Sequence, residues 1–272
     1  MSEPLPLAPG AYLAPDWPAP PGVRALCTTR AGGVSAAPWD SLNLGAHVQD
    51  DPAHVAANRA ILQAEVSRRG GGELLFLNQV HGQRVLRLAP GAALPQGQDA
   101  DGVLAAQPGV ALVMMVADCL PVLFTDTEGR RVAAVHAGWR GLAGGILEAA
   151  VASLAAPAED GPGVPATSVM AWLGPCIGPS AFEVGPEVRE AFVQADPAAA
   201  SAFAAQPDGR WLADLPALAR QRLAASGVSA VYGNDGTKPW CTCSDSTLFF
   251  SHRRDSRRFG HTGRLAACIW RV

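Results

Sequence analysis

Two histidines and a cysteine stand near the ends of apolar runs: His81 in LNQVHG, Cys119 in VMMVADCLPVLF and His136 in VHAGWRG. A glycine or proline follows each within two residues, so three separate strands could aim these side chains at one point. Two imidazoles and a thiolate suit zinc, and three protein donors leave a fourth position open to water, as in catalytic sites. Such an ion would bring the pKa of that water to about 7. Asp118, adjacent to Cys119, would orient an imidazole or move protons. The same residues allow a metal-free reading, with Cys119 as nucleophile and His136 as its base. They also allow an inert one, because a cysteine in an apolar strand is ordinarily a small core residue. The separations along the chain match no compact zinc motif, and spacing alone leaves the three readings open.

Other polar residues sit where a ligand could be held. Arg30 lies in the glycine-rich TTRAGGVS and Asn43 in SLNLG, where backbone amides and a guanidinium could hold a phosphate or carboxylate. Arg59 falls within an expected helix, and Arg140 stands at a helix start that could attract an anion. Glu183, between Phe182 and Val184, is a candidate general acid or base if buried and an ordinary strand-edge residue if not. His252, in FFSHRRDS, is placed at a pocket mouth beside Arg253 and Arg254, whereas His47, His54 and His261 read as loop or helix-surface residues. Cys176, Cys241 and Cys243 have no metal-site spacing and read as structural thiols.

These residues need elements to position them. VRALCTT predicts a strand over 23–29, followed by a long turn-rich loop. Asp51-Pro52 opens a helix to about residue 69 that buries Val55, Leu62 and Val66, and Gly70-Gly71-Gly72 stops it. Strands are expected over 74–77, 84–88, 110–116, 132–135 and 169–173, with a short extended piece at Pro121. A helical spacing begins at Leu142, and further helices are expected over 186–194 and 214–225. The chain returns to strands over 248–251 and 264–272.

The 272 residues are 49% hydrophobic, enough for a substantial core, and a formal charge of −3 offers no field to hold a polyanion. No basic segment precedes an apolar stretch at the N-terminus and no apolar run reaches membrane-spanning length, so a soluble, cytoplasmic protein is expected.

Taken together and in order, TTRAGGVS, SLNLG, LNQVHG, ADCLPVLF, VHAGWRGLAGGI, GPCIGPSAFEVG, FFSHRRD and TGRLA resemble the YfiH-like family from about residue 23 to 272. Its members are known as polyphenol oxidoreductases or laccase-domain proteins and as purine nucleoside phosphorylases. The resemblance implies an α/β (α+β) fold, a single-domain layered sandwich with a mixed β-sheet and flanking helices over 23–272, behind an N-terminal extension of 1–22. It implies zinc held by His81, Cys119 and His136. The implied reaction is phosphorolysis of adenosine, inosine, guanosine or methylthioadenosine to base and ribose 1-phosphate, with adenosine deamination as a second activity. Purine nucleoside and phosphate would be its partners, without nucleic acid or membrane, and the chain would be a monomer or weak homo-oligomer. Copper is the alternative metal, in a laccase-like phenol oxidase, although one cysteine and two histidines cannot build a four-copper cluster. Ser180, Ala181 and Phe182 stand where relatives often carry Cys and Tyr.

Overall fold

The run 110–116 is apolar at every position because both of its faces are covered. Val110, Leu112 and Met114 enter one core, while Ala111, Val113 and Met115 enter another. This strand lies near the middle of a computed structural model that describes residues 10–159 and 161–272. In chain order the elements are β1 (Tyr12–Leu13), β2 (Val23–Thr28), α1 (Pro52–Arg68), β3 (Glu73–Phe76), β4 (Val85–Arg87), β5 (Gly102–Ala105), β6 (Val110–Val116), β7 (Leu120–Asp126) and β8 (Val132–Ala137). There follow α2 (Trp139–Gly144), α3 (Ile146–Ala155), β9 (Val169–Leu173), β10 (Glu183–Val184), α4 (Pro186–Val193), β11 (Phe203–Ala205) and β12 (Trp211–Ala213). The last are α5 (Leu215–Ala225), β13 (Ala230–Gly233), α6 (His252–Phe259) and β14 (Leu265–Arg271).

Two mixed sheets carry the fold: a five-stranded one ordered β1-β2-β14-β6-β3 and a six-stranded one ordered β13-β9-β7-β8-β5-β4. They face each other across a core that joins Leu75, Leu112, Met114 and Ile269 to Val103, Leu123, Ala134 and Trp172. Helix α1 covers the outer face of the first sheet through Leu62 and Val66. The outer face of the second is covered by α3 and α5 and by a small sheet, β10-β12-β11. The result is a single α+β domain layered as helix, sheet, sheet, helix.

Local chemistry sets the boundaries. Asp51 accepts from the Ala53 amide at 2.8 Å to start α1, and Asp214 accepts from Ala217 at 2.9 Å to start α5. The helical spacing that begins near Leu142 belongs to two helices, because Gly145 at φ 102° ends α2 and begins α3. Residues 248–251, expected as a strand, instead lead into α6, whose first amides are met by the Ser251 hydroxyl and the Asp118 carboxylate. Upstream of residue 23, β1 pairs with β2 and Ala11 is buried. Among the described residues no helix is long and apolar enough to cross a membrane.

Candidate metal centre

The two large sheets are joined by chain crossings, and two of the three candidate ligands lie on them. β6 ends in the five-stranded sheet at Val116 and β7 begins in the six-stranded sheet at Leu120, so residues 117–119 form the crossing. The segment carrying His81 crosses in the same sense between β3 and β4. His136 is on β8, directly opposite Pro121 of β7. His81 and Asp118 adopt φ of 62° and 89°, a left-handed conformation that costs of order 1–3 kcal/mol in a residue other than glycine. The surroundings enforce both. The Asp101 carboxylate accepts from the amides of Val80, His81 and Gly82 at 3.2, 2.9 and 2.6 Å. The Asp118 carboxylate accepts from the Thr242 and Ser251 hydroxyls at 2.6 and 3.1 Å and from the Arg253 amide at 2.6 Å.

The donor atoms of His81, Cys119 and His136 all lie within 4.8 Å of one another. Cys119 Sγ is 3.7 Å from His81 Nε2. Arms of about 2.3 Å to sulfur and 2.05 Å to nitrogen at a tetrahedral angle would place the two donors roughly 3.6 Å apart, so the pair fits a single ion. His136 Nδ1 is 2.8 Å from Asp101 Oδ1, which leaves Nε2 for the centre. Gly138 leaves the space open: a Cβ there would lie 2.8 Å from His81 Cδ2 and 3.1 Å from Cys119 Sγ.

Burial by itself would raise the Cys119 thiol, but the charge of His136 and hydrogen bonds to His136 and His81 outweigh it and bring its pKa to about 6. His136 moves the opposite way. Burial would lower it, while the Cys119 thiolate and the Asp101 carboxylate raise it to about 9. Asp101 resists the effect of its own burial and is held below the usual carboxylate range by His136 and the amides of Gly82 and His81. Cys27, Cys176 and Cys268 are pushed up by burial, so Cys119 stands apart from them as an activated thiol.

Two cavities open on this cluster and share Ala117, Cys119 and His252 as a common wall. One, about 220 Å³, is polar and bears His47, Gln79 and Arg264. The other, about 180 Å³, is lined by Trp139, Ile177, Phe182 and Leu215. Of the other residues singled out in the sequence, Arg59 stacks over Phe76 at 3.9 Å and donates to the Leu44 carbonyl, close enough to His47 for its charge to be felt there. Asn43 is fully buried and accepts from the Arg264 amide at 2.9 Å. Arg30 donates to Asp40 and the Ser246 carbonyl and lines a separate cleft of about 610 Å³. Arg140 stacks on Trp139 at 4.4 Å, and Glu183 pairs with Arg210. Asp101 and Arg264 were not singled out in the sequence, and His47, read there as a loop or helix-surface residue, lines the polar cavity. The only local sign of Asp101 is an Asp-Gly pair opening an apolar run, which is also an ordinary turn signal.

Comparison with known proteins agrees with this architecture. The family model described as "Multi-copper polyphenol oxidoreductase laccase" matches residues 24–272. A purine nucleoside phosphorylase of Pseudomonas aeruginosa is 53% identical over 262 residues, covering 96% of this chain and 98% of its own. The purine nucleoside phosphorylase YfiH of Escherichia coli is 47% identical over 266 residues, with 96% and 98% covered. Among solved structures, a Neisseria meningitidis protein superposes with a TM-score of 0.86 at 47% identity, over 96% of this chain and 99% of that one. YlmD of Geobacillus stearothermophilus gives 0.85 at 30% identity, over 99% of each. With a fold shared along nearly its whole length and a His-Cys-His cluster able to hold a metal, the chain belongs to the YfiH family of laccase-domain proteins.

Proposed function

We propose that this protein is a zinc-dependent purine nucleoside phosphorylase with a secondary adenosine deaminase activity. The observation that carries the reading is the convergence of His81, Cys119 and His136, whose donor atoms lie within 4.8 Å of one another, beside cavities that meet at Cys119. The names of the relatives supply the reaction class. Zinc, with one position left open by three protein donors, would contribute Lewis acidity. The chain's own residues do the rest. Asp101 fixes the His136 ring and the backbone that carries His81. Asp118 ties Cys119 to the start of α6, which brings His252 to the cavity wall. The largely apolar pocket of Trp139, Ile177, Phe182 and Leu215 offers faces on which a flat base can pack.

Phosphate-dependent release of hypoxanthine from inosine tests this. Activity lost on chelation and restored by zinc is expected, and full activity in metal-free protein contradicts it. Copper, suggested by the family model's name, predicts dioxygen uptake with phenols after copper loading. The lowered thiol pKa favours one further reading, a metal-independent Cys119–His136 hydrolase, which predicts turnover that survives chelation and stops on alkylation.

A further inference from the structure

Arg264 is a placed cation without a salt-bridge partner: the negative charges it feels are those of Cys119, which a bound metal would engage, and Asp118. Its Nη1 donates to the Thr262 and Gly263 carbonyls at 3.1 and 3.2 Å, and its stem packs so closely on the chain at Gly45 that a Cβ there would lie 2.7 Å from its Cγ. Its amide is pinned by the buried Asn43. The guanidinium lines the polar cavity beside Cys119, and His47 lies on the same wall. A second guanidinium, Arg59, is held nearby by Phe76 and the Leu44 carbonyl. Among the described residues, neither arginine has a carboxylate within salt-bridge distance. The carboxylate nearest in the chain to Cys119, that of Asp118, is occupied by Thr242, Ser251 and the Arg253 amide. Cations partly withdrawn from water and compensated only by carbonyls and charges beyond contact are costly, and a bound oxyanion reduces that cost.

We propose that Arg264, backed by Arg59 and His47, forms the inorganic phosphate subsite, on the opposite side of Cys119 from the apolar pocket. The assignment rests on the phosphorolytic reading above and specifies where its second substrate sits. A phosphate oxygen held there forms a bond to C1′ of the ribose as the bond from C1′ to the base nitrogen breaks. The electron pair of that bond leaves with the base, and the proton of hydrogen phosphate ends on that nitrogen, giving ribose 1-phosphate and neutral base. A planar fork suits phosphate better than a point charge, so lysine is an incomplete substitute.

The experiment uses metal-loaded full-length protein and inorganic phosphate. Arg264→Gln is expected to raise the KM for phosphate by about tenfold or more, as loss of a charge-assisted hydrogen bond implies, with the KM for inosine and the metal content unchanged. Arg264→Lys, which keeps the charge and most of the stem, is expected to fall between the two and serves if the glutamine variant does not fold. An assay without turnover runs in parallel: phosphate should raise the melting midpoint of the wild type and raise that of Arg264→Gln far less. Folded, metal-containing variants that keep the wild-type phosphate response in both assays overturn the subsite. Wild-type protein that releases no base, yet is stabilised by phosphate through Arg264, overturns the phosphorylase reading and leaves the subsite standing.

Discussion

The Asp101 carboxylate lies 2.8 Å from His136 Nδ1 and also accepts the amide protons of three consecutive residues around His81. One buried side chain therefore orients two of the three candidate ligands, from a position just before β5, on neither the His81 crossing nor β8. Asp101→Asn places an amide NH₂ where a second acceptor is needed. Metal affinity should fall by about 10- to 100-fold, measured by chelator competition, while Cys119 remains in place. Unchanged affinity would show that the ring and loop are held by something else.

Gly138 tests whether space matters as much as donors. Its backbone, φ −64° and ψ 160°, is open to any residue, so Gly138→Ala adds a methyl group without backbone strain. That methyl would contact both His81 and Cys119. A folded protein with weakened metal uptake is expected by circular dichroism and metal analysis, and uptake equal to the wild type would show that the ligands can move aside.

The Cys119 thiolate can be read directly in metal-free protein. Its alkylation by iodoacetamide should reach half its maximal rate near pH 6, where an ordinary thiol would do so near 9. Stability should not report the pair. Taken alone, the depressed thiol contributes stability that is complete above 9 and lost as pH falls through about 6. Taken alone, the raised imidazole contributes stability that is complete below 6.5 and lost as pH rises through about 9. Between these values the folded pair holds one proton, on His136, and the unfolded pair also holds about one, on Cys119. The two pH effects nearly cancel, so alkylation should change steeply with pH where the contribution of this pair to the melting midpoint stays nearly flat.

Metal uptake should displace that proton. With the thiol already ionised at pH 7.5, binding a divalent ion should release about one proton, from His136, in calorimetry across buffers of different ionisation enthalpy. A release near two protons would mean that the thiol is still protonated.

Asp118 should separate positioning from ligation. Asp118→Asn tolerates the positive φ but loses acceptor capacity toward Thr242, Ser251 and the Arg253 amide. A destabilisation of about 1–3 kcal/mol with metal stoichiometry retained is expected from denaturant unfolding and metal analysis. Loss of the ion in a stable protein would give Asp118 a direct part in the centre.

His81, Cys119 and His136 stood out as candidates because each follows an apolar run, but spacing left their role open and the family resemblance supplied the ligand set; only His136 is delivered by a strand, while His81 and Cys119 lie on the crossings between sheets. A mixture of strands and helices was legible in the pattern, since continuous runs such as Val110–Val116 announce strands covered on both faces, whereas the layered sandwich was implied only by the family resemblance. The placement of Arg264, His47 and Asp101 was not legible, because it depends on contacts between distant segments, as when Asn43 pins Arg264. The small sheet is built from strands of two or three residues, too short to show a period. Helix α6, HRRDSRRF, has no apolar stripe on its inner face. Asp255 joins it to Ser251 and Thr262, and polar contacts of that kind leave no periodic signature.

Cobalt(II) titration of metal-stripped wild-type and Cys119→Ala protein tests the centre most directly, because a thiolate ligand gives its own charge-transfer absorption. One equivalent of cobalt should produce that band in the wild type, zinc should abolish it by displacement, and the variant should show none. Wild-type protein that takes up no ion, or a variant with an identical spectrum, would contradict the convergence of His81, Cys119 and His136 on a metal.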